Sequence, residues 1–265
     1  MPGVKRGRSI MAVEYGAEGL LGVLTPQANT TVEPELGILL PPRMAMLNAR
    51  LTSPKPTIAA RLVDYVDGLD AAVAQFANAP LGAIAFACTG ASYLVGAAAE
   101  DAAVARIEAR TGVPFITAAR AVCDAFQALG ARRIGLVSPY PLDLTEASAA
   151  YWASRGFTVG RIVAAAAPDA AFHPIYAMSA GSAAEALAGM TGAGVDAIIL
   201  LGTGMPTLKP ILDNPAVDGA PVISCMTALG WRSVTALCGV APNGDTLRCW
   251  IAGEGWRDRY AQRMC

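Results

Sequence analysis

Two kinds of apolar pattern alternate along this chain. Short apolar runs occur at 19–24, 43–47, 83–87, 113–116, 134–137, 157–163, 197–201 and 222–224, free of charge except for Arg43 in the second and Arg161 in the sixth. Continuous apolar runs of this length are what a strand buried on both faces of a parallel sheet requires. Between them lie longer stretches of helical period. In 58–77, Ile58, Leu62, Val66, Leu69, Val73 and Phe76 return at three- and four-residue steps, which predicts one helix. Further helices are expected at 97–110, 119–129, 144–154 and 175–190, and from Cys225 through Trp231 to Leu237. Gly112, Gly130 and Gly156 stand just past three of these, where a helix commonly ends on a left-handed residue. Residues 246–265 read less clearly, as a closing helix. Strands and helices in alternation predict an α/β fold with parallel sheets.

The strand ends repeat. Pro26 follows one strand and Cys88 another, 62 residues on; Pro139 and Gly202 do the same 63 residues apart. This echo predicts two similar α/β units related by internal pseudo-two-fold symmetry, with a cleft between them. The expected division is a tail at 1–18, a first unit at 19–130, a second at 131–240, and a segment at 241–265 packing back on the first. A single doubly wound sheet is the other arrangement compatible with the pattern. Either one places ligands beyond the carboxyl ends of the strands.

Composition narrows the function. A chain of 265 residues can bury a full core. It is 54% hydrophobic and 15% charged, with net charge −1. No basic surface for nucleic acid is implied. The apolar content is largely alanine, and no run approaches the roughly 20 residues that cross a bilayer. Glu14 and Glu18 interrupt any signal-peptide core, so a cytoplasmic location is expected. Cys88, Cys123, Cys225, Cys238, Cys249 and Cys265 show no zinc spacing, and there is one histidine, His173. Neither GxGxxG nor a P-loop is present. No metal or cofactor is therefore expected.

The strand ends carry the candidate chemistry. Cys88, Thr89, Gly90 and Ser92 stand where a strand should give way to a helix. Unpaired N–H groups there favour anions and thiolates. A buried structural cysteine satisfies the same pattern. Asn29 with Thr30 and Thr31 can present an amide and hydroxyls to a carboxylate, or simply cap a helix. Tyr140 brings a phenol to a strand end, suited to an oxyanion or a carboxylate. Thr203 and Gly204 form the matching loop of the second half, and Cys225 has a setting like that of Cys88. His173 lies far from any strand end, and Cys123 falls inside a helix.

These segments resemble the aspartate/glutamate racemase superfamily, in the branch of maleate cis–trans isomerase and arylmalonate decarboxylase. TPQANTTVEPE at 25–35 is similar to the maleate isomerase signature, ACTGASYLVG at 87–96 to the first cysteine loop, SPY at 138–140 to the tyrosine segment, DAIILLGTGMPTL at 196–208 to the second loop, and PVISCMTALGW at 221–231 to the strand that closes the pocket. The resemblance implies that Asn29 meets a substrate carboxylate and that Tyr140 binds a carboxylate or enediolate. It also implies two cysteines facing each other. Here the first is Cys88, but the second position holds Gly202, and Thr145 stands where asparagine is usual. Two-base racemisation needs an acid and a base on opposite faces; decarboxylation of a malonate needs one.

The expected function is thus a cofactor-independent decarboxylase of substituted malonates. Cys88 is the acid, with Tyr140, Thr89 and Gly90 as donors, and Asn29, Thr203 and Gly204 line the carboxylate end. A maleate-type isomerase working through a Cys88 adduct, or a racemase with Cys225 as second cysteine, are the competing enzyme readings. A non-catalytic binder of small carboxylates is the reading from another class. The expected partner is a small mono- or dicarboxylic acid, with no nucleic acid and no membrane, and the resemblance makes a homodimer plausible.

Overall fold

The computed structural model describes residues 13–166 and 174–264, so His173, Cys265 and most of the expected tail lie outside the described residues. The first unit runs β1 (Gly19–Pro26), α1 (Val32–Leu39), β2 (Met44–Leu51), α2 (Ile58–Asp67), α3 (Leu69–Ala74), β3 (Ala83–Phe86), α4 (Thr89–Thr111), β4 (Phe115–Thr117) and α5 (Ala118–Leu129). The second runs β5 (Arg133–Ser138), α6 (Leu142–Ser154), β6 (Thr158–Ala164), α7 (Ala180–Ala188), β7 (Ala197–Leu200), α8 (Leu208–Asp213), β8 (Ala216–Val217), β9 (Ala220–Ser224) and α9 (Cys225–Leu237). Two further helices follow, α10 (Gly244–Ile251) and α11 (Arg257–Met264).

There are two sheets, not one. The first has order β2-β1-β3-β4 and is parallel throughout. The second has order β6-β5-β7-β9-β8, parallel except for β8. Leaving β8 aside, the two orders correspond strand for strand, which is the duplication that the spacing of strand ends implied. The central strands β3 and β7 are buried at every position. Both are buried on both faces, which is why their sequences carry no alternation.

Several boundaries differ from the sequence reading. The helix expected over 58–77 is broken at Gly68 into α2 and α3, because periodicity alone does not register a glycine that closes one helix and opens the next. The helix expected at 97 begins at Thr89, with a kink where Gly96 adopts φ +80°. The stretch expected as one helix over 175–190 is a short 3-10 turn, Pro174–Ala177, followed by α7.

The segment between Gly244 and Met264 lies against both units. α10 packs on α5 and α9, and α11 on α1. Trp250 and Trp256 are buried there, and the Trp250 indole donates to the Thr227 carbonyl at 3.0 Å. Near the start, the turn Glu14–Gly16 packs on β2, and Glu18 pairs with Arg43.

The interface between the units holds an aromatic cluster and a buried ionic one. Tyr93 and Phe126 of the first unit meet Trp152 of the second edge to face, at 5.5 and 6.0 Å. Glu100, 3% exposed, accepts hydrogen bonds from Thr117, Tyr151 and Arg155 at 2.5–2.6 Å. A buried carboxylate is tolerated only with such partners, and removing one is costly. These contacts fix the relative pose of the two sheets and hence the shape of the cleft.

Candidate active site

The carboxyl ends of β1, β3, β5 and β7 converge on one cleft. Its walls include Pro26 from β1, Cys88, Thr89 and Gly90 after β3, Tyr140 and Pro141 after β5, and Gly202, Thr203 and Gly204 after β7. Its empty space is about 440 Å³, open mouth included. The rest of the wall is apolar or aromatic: Ile58, Leu62, Leu144, Ile175 and Tyr176.

Cys88 is placed by the strand-to-helix transition. β3 ends at Phe86, and Cys88 is the N-cap of α4, in extended conformation. The first N–H groups of α4 have no intrahelical acceptor. One of them, on Ala91, faces the Cys88 sulfur. Burial dominates all the same and pushes the thiol up to about 12. Cys88 is thus a protonated thiol, 4% exposed, on the wall of the cleft. The phenols of Tyr65, Tyr140 and Tyr176 surround it closely enough for their ionisation and its own to oppose one another.

Thr89 and Tyr140 form a pair. Their hydroxyls are 3.0 Å apart, and burial holds the Tyr140 phenol well above its ordinary value. Gly90, next on the helix, has no side chain, and a Cβ there would meet Leu62 at 3.0 Å. Leu62 and Leu144 therefore pack close over this glycine, which lines the cleft.

The opposite loop is built differently. Gly202 has φ +85°, and a Cβ on it would lie 3.2 Å from the Tyr140 hydroxyl and 3.3 Å from Pro139. The phenol of Tyr140 thus fills the space next to the position that lacks a side chain. Gly204 is equally constrained, since a Cβ there would come within 2.5 Å of the Tyr176 ring. Thr203 donates to the Ala87 carbonyl at 2.8 Å, linking this loop to the residue before Cys88.

Asn29, expected to meet a substrate carboxylate, does not line the cleft. Its amide faces Thr203, with 3.3 Å to both the carbonyl and the hydroxyl, while its Oδ1 accepts from the Thr31 and Val32 N–H groups. Four side chains of the 25–35 stretch, those of Asn29, Thr30, Thr31 and Glu35, bond to the second unit. Thr30 donates to the Tyr176 carbonyl, Thr31 to the Gly204 carbonyl, and Glu35 accepts from the Thr207 and Leu208 N–H groups. Glu35 is fully enclosed, and burial outweighs these bonds to push it from 4.5 up to about 7. Ser138 and Tyr140 are held by Thr145, whose Oγ1 lies 2.7 Å from the Ser138 hydroxyl and donates to the Tyr140 carbonyl.

Cys225 opens α9 and is 0% exposed. It is absent from the cleft wall and sits behind it, facing the Thr89 hydroxyl, the Gly202 N–H and the Tyr93 phenol. Burial pushes it up to about 11. Tyr65, Tyr176 and the cleft positions Ile58 and Leu62 were missed in the sequence. Ile58 and Leu62 carry the period of a core-facing helix, which a cleft-facing helix shares. Among the described residues, no group of three or more His, Cys, Asp or Glu side chains could hold a metal ion. No helix among them is long and apolar enough to cross a membrane.

Comparison with known proteins agrees with this geometry. A family model described as arylmalonate decarboxylase (Amdase) matches residues 21–245. A maleate isomerase of Pseudomonas putida is 26% identical over 229 residues, 82% of this chain and 91% of the relative. An arylmalonate decarboxylase of Bordetella bronchiseptica is 28% identical over 229 residues, 78% of this chain and 91% of the relative. Among solved structures, a cysteine-to-alanine variant of the maleate isomerase Iso of Pseudomonas putida, with maleate, is similar at a TM-score of 0.76 and 25% identity, covering 89% of this chain and 98% of that one.

Proposed function

Because the chain belongs to the arylmalonate decarboxylase family, we propose that it decarboxylates substituted malonates, with Cys88 as the acid that protonates the enediolate. Members of the family are cofactor-independent decarboxylases and cis–trans isomerases, so the chain is a lyase or an isomerase. The observation that supports the choice is the asymmetry of the cleft: its wall carries the Cys88 thiol, while the matching strand end presents Gly202, with no side chain. One thiol can protonate one face of an enediolate but cannot serve as both acid and base in a two-base racemisation.

The step is as follows. The substrate binds with one carboxylate against the Tyr140 and Thr89 hydroxyls and the Gly90 N–H. The other lies against Leu144 and Ile175, on the side of the wall away from α2, where apolar side chains replace its water. The bond from the central carbon to that carboxylate breaks, carbon dioxide leaves, and the electron pair passes to the retained carboxylate as an enediolate. The donors strengthen as this charge develops. The Cys88 Sγ–H then protonates the central carbon on the one face it reaches, and the thiolate recovers a proton from solvent. Asn29, Thr203 and Gly204 act by holding the opposite loop in place.

Isomerisation is the second reading, favoured by the similarity of 25–35 to the maleate isomerase signature. In it a Cys88 thiolate adds to the double bond of a cis-diacid, rotation follows, and the thiolate leaves. The test is direct. Purified protein is given 2-aryl- and 2-alkylmalonates, and separately maleate, in deuterated water. Carbon dioxide with a single deuterium installed on one face supports decarboxylation. Fumarate from maleate with no gas overturns it in favour of isomerisation.

A further inference from the structure

Arg61 is the exception among the half-buried arginines of the described residues. Arg120 pairs with Asp101, Arg155 with Glu100 and Asp101, Arg232 with Asp124, and Arg259 donates to two helix carbonyls. Arg61 is half-buried, and its guanidinium has no hydrogen bond or ion pair with any described residue, although Asp64 stands three positions on. Holding a partly desolvated cation without a partner is unfavourable, so the position calls for a ligand.

Its place in the fold says which. Arg61 is in the first turn and a half of α2, between Ile58 and Leu62, both of which line the cleft. The N-terminus of this ten-residue helix is therefore turned to the cleft as well. Thr57 accepts from the Ala60 N–H, which leaves the earlier N–H groups free. The guanidinium is near enough to the phenols of Tyr65 and Tyr176 to favour their ionised forms. Tyr176 is itself a wall residue. A planar, permanently charged fork beside a helix N-terminus is suited to a carboxylate.

We propose that Arg61 anchors a carboxylate at the mouth of the cleft, so that the preferred substrates carry a further acid group on the malonate substituent. The assignment rests on the decarboxylase reading for the substrate, but its binding test does not. The leaving carboxylate remains in the apolar part of the wall, away from Arg61, since a cation beside it would stabilise the ground state and slow its loss.

Calorimetric binding of succinate, glutarate and butyrate to the wild type and to Arg61→Gln tests the anchor with unreactive probes. The wild type is expected to bind at least one diacid about tenfold or more tightly than butyrate. Arg61→Gln is expected to erase that preference and leave butyrate within about twofold, and Arg61→Lys to restore part of it. Equal affinity for diacid and monoacid in the wild type, no binding of either, or an equal loss of both in Arg61→Gln overturns the anchor. Turnover then adds a separate readout: a malonate with a carboxylate-bearing substituent should show the larger rise in KM in Arg61→Gln, with kcat little changed. Absence of carbon dioxide from every malonate overturns the decarboxylase reading alone and leaves the binding result to judge Arg61.

Discussion

The Cys88 and Gly202 loops occupy matching strand ends and are built in opposite ways. Each follows a four-residue strand buried at every position. After β3 the chain turns at once into the 23-residue α4, and Cys88 caps it with its thiol on the cleft wall. After β7 the chain passes through Gly202 at φ +85° and on to Thr207 before the six-residue α8 begins. The difference is more than a missing side chain. The backbone at 202 is one that L side chains rarely adopt, and Tyr140 from the neighbouring strand end stands in the adjoining space. On the proposed reading, the second half is a wall that shapes the cleft and donates hydrogen bonds, while the first supplies the reactive proton.

The sharpest way to break this comparison is to remove its reactive side. Cys88→Ala should lower turnover by about 10²- to 10⁴-fold, with folding and ligand affinity retained, as read by steady-state kinetics beside calorimetry. Retained turnover would mean that Cys88 is only a packing residue. Tyr140→Phe should lower kcat by about 10²-fold, more than it weakens binding, because the phenol is placed to meet developing charge.

Gly202→Cys probes the silent side. It should not yield a symmetric site; it should cost about 1–3 kcal/mol of stability from backbone strain and crowd Tyr140. Thermal denaturation checks the cost, and Tyr140→Phe in the same chain should recover part of it. A Gly202→Cys protein as stable as the wild type and yielding racemic product would show that the two loops are interchangeable.

A pH profile separates acid from nucleophile. With the Cys88 thiol pushed up to about 12, an acid stays protonated and kcat should stay flat from neutral into mildly alkaline solution. A thiolate nucleophile would give a rate rising about tenfold per pH unit there. The smallest effect concerns Glu35, whose folded value is raised to about 7 from 4.5. A carboxyl raised on folding stabilises fully below its unfolded value, and that contribution is lost as pH rises to the folded one. The wild type should therefore lose stability between about pH 4.5 and 7 relative to Glu35→Gln, as read by melting temperature across that range.

Much of the architecture was legible because buried parallel strands leave uncharged runs and because the strand ends repeat at nearly equal spacing. Cys88, Thr89, Gly90 and Tyr140 were legible for the same reason: in such sheets, strand ends and ligand walls coincide. Asn29 was a harder case. An amide in a turn is drawn equally to a ligand and to a neighbouring loop, and only the partner's position, 174 residues away at Thr203, decides. Cys225 shares the local setting of Cys88, but Thr89 and Gly202 lie between it and the cleft, a screening that only the folded chain reveals. Gly68, which divides α2 from α3, shows the limit of periodicity: a register that continues across a break conceals it.

The hydrogen bonds that Thr30 and Thr31 donate to the Tyr176 and Gly204 carbonyls, and that Glu35 accepts from the Thr207 N–H, bear on how such a protein can change over time. A duplicated unit is ordinarily a module that recombination can exchange. Here each bond has one partner in the first unit and the other in the second, so a foreign second unit would arrive without its fastenings. Exchanging one half alone would cost these bonds, whereas substitution around the cleft would leave them in place.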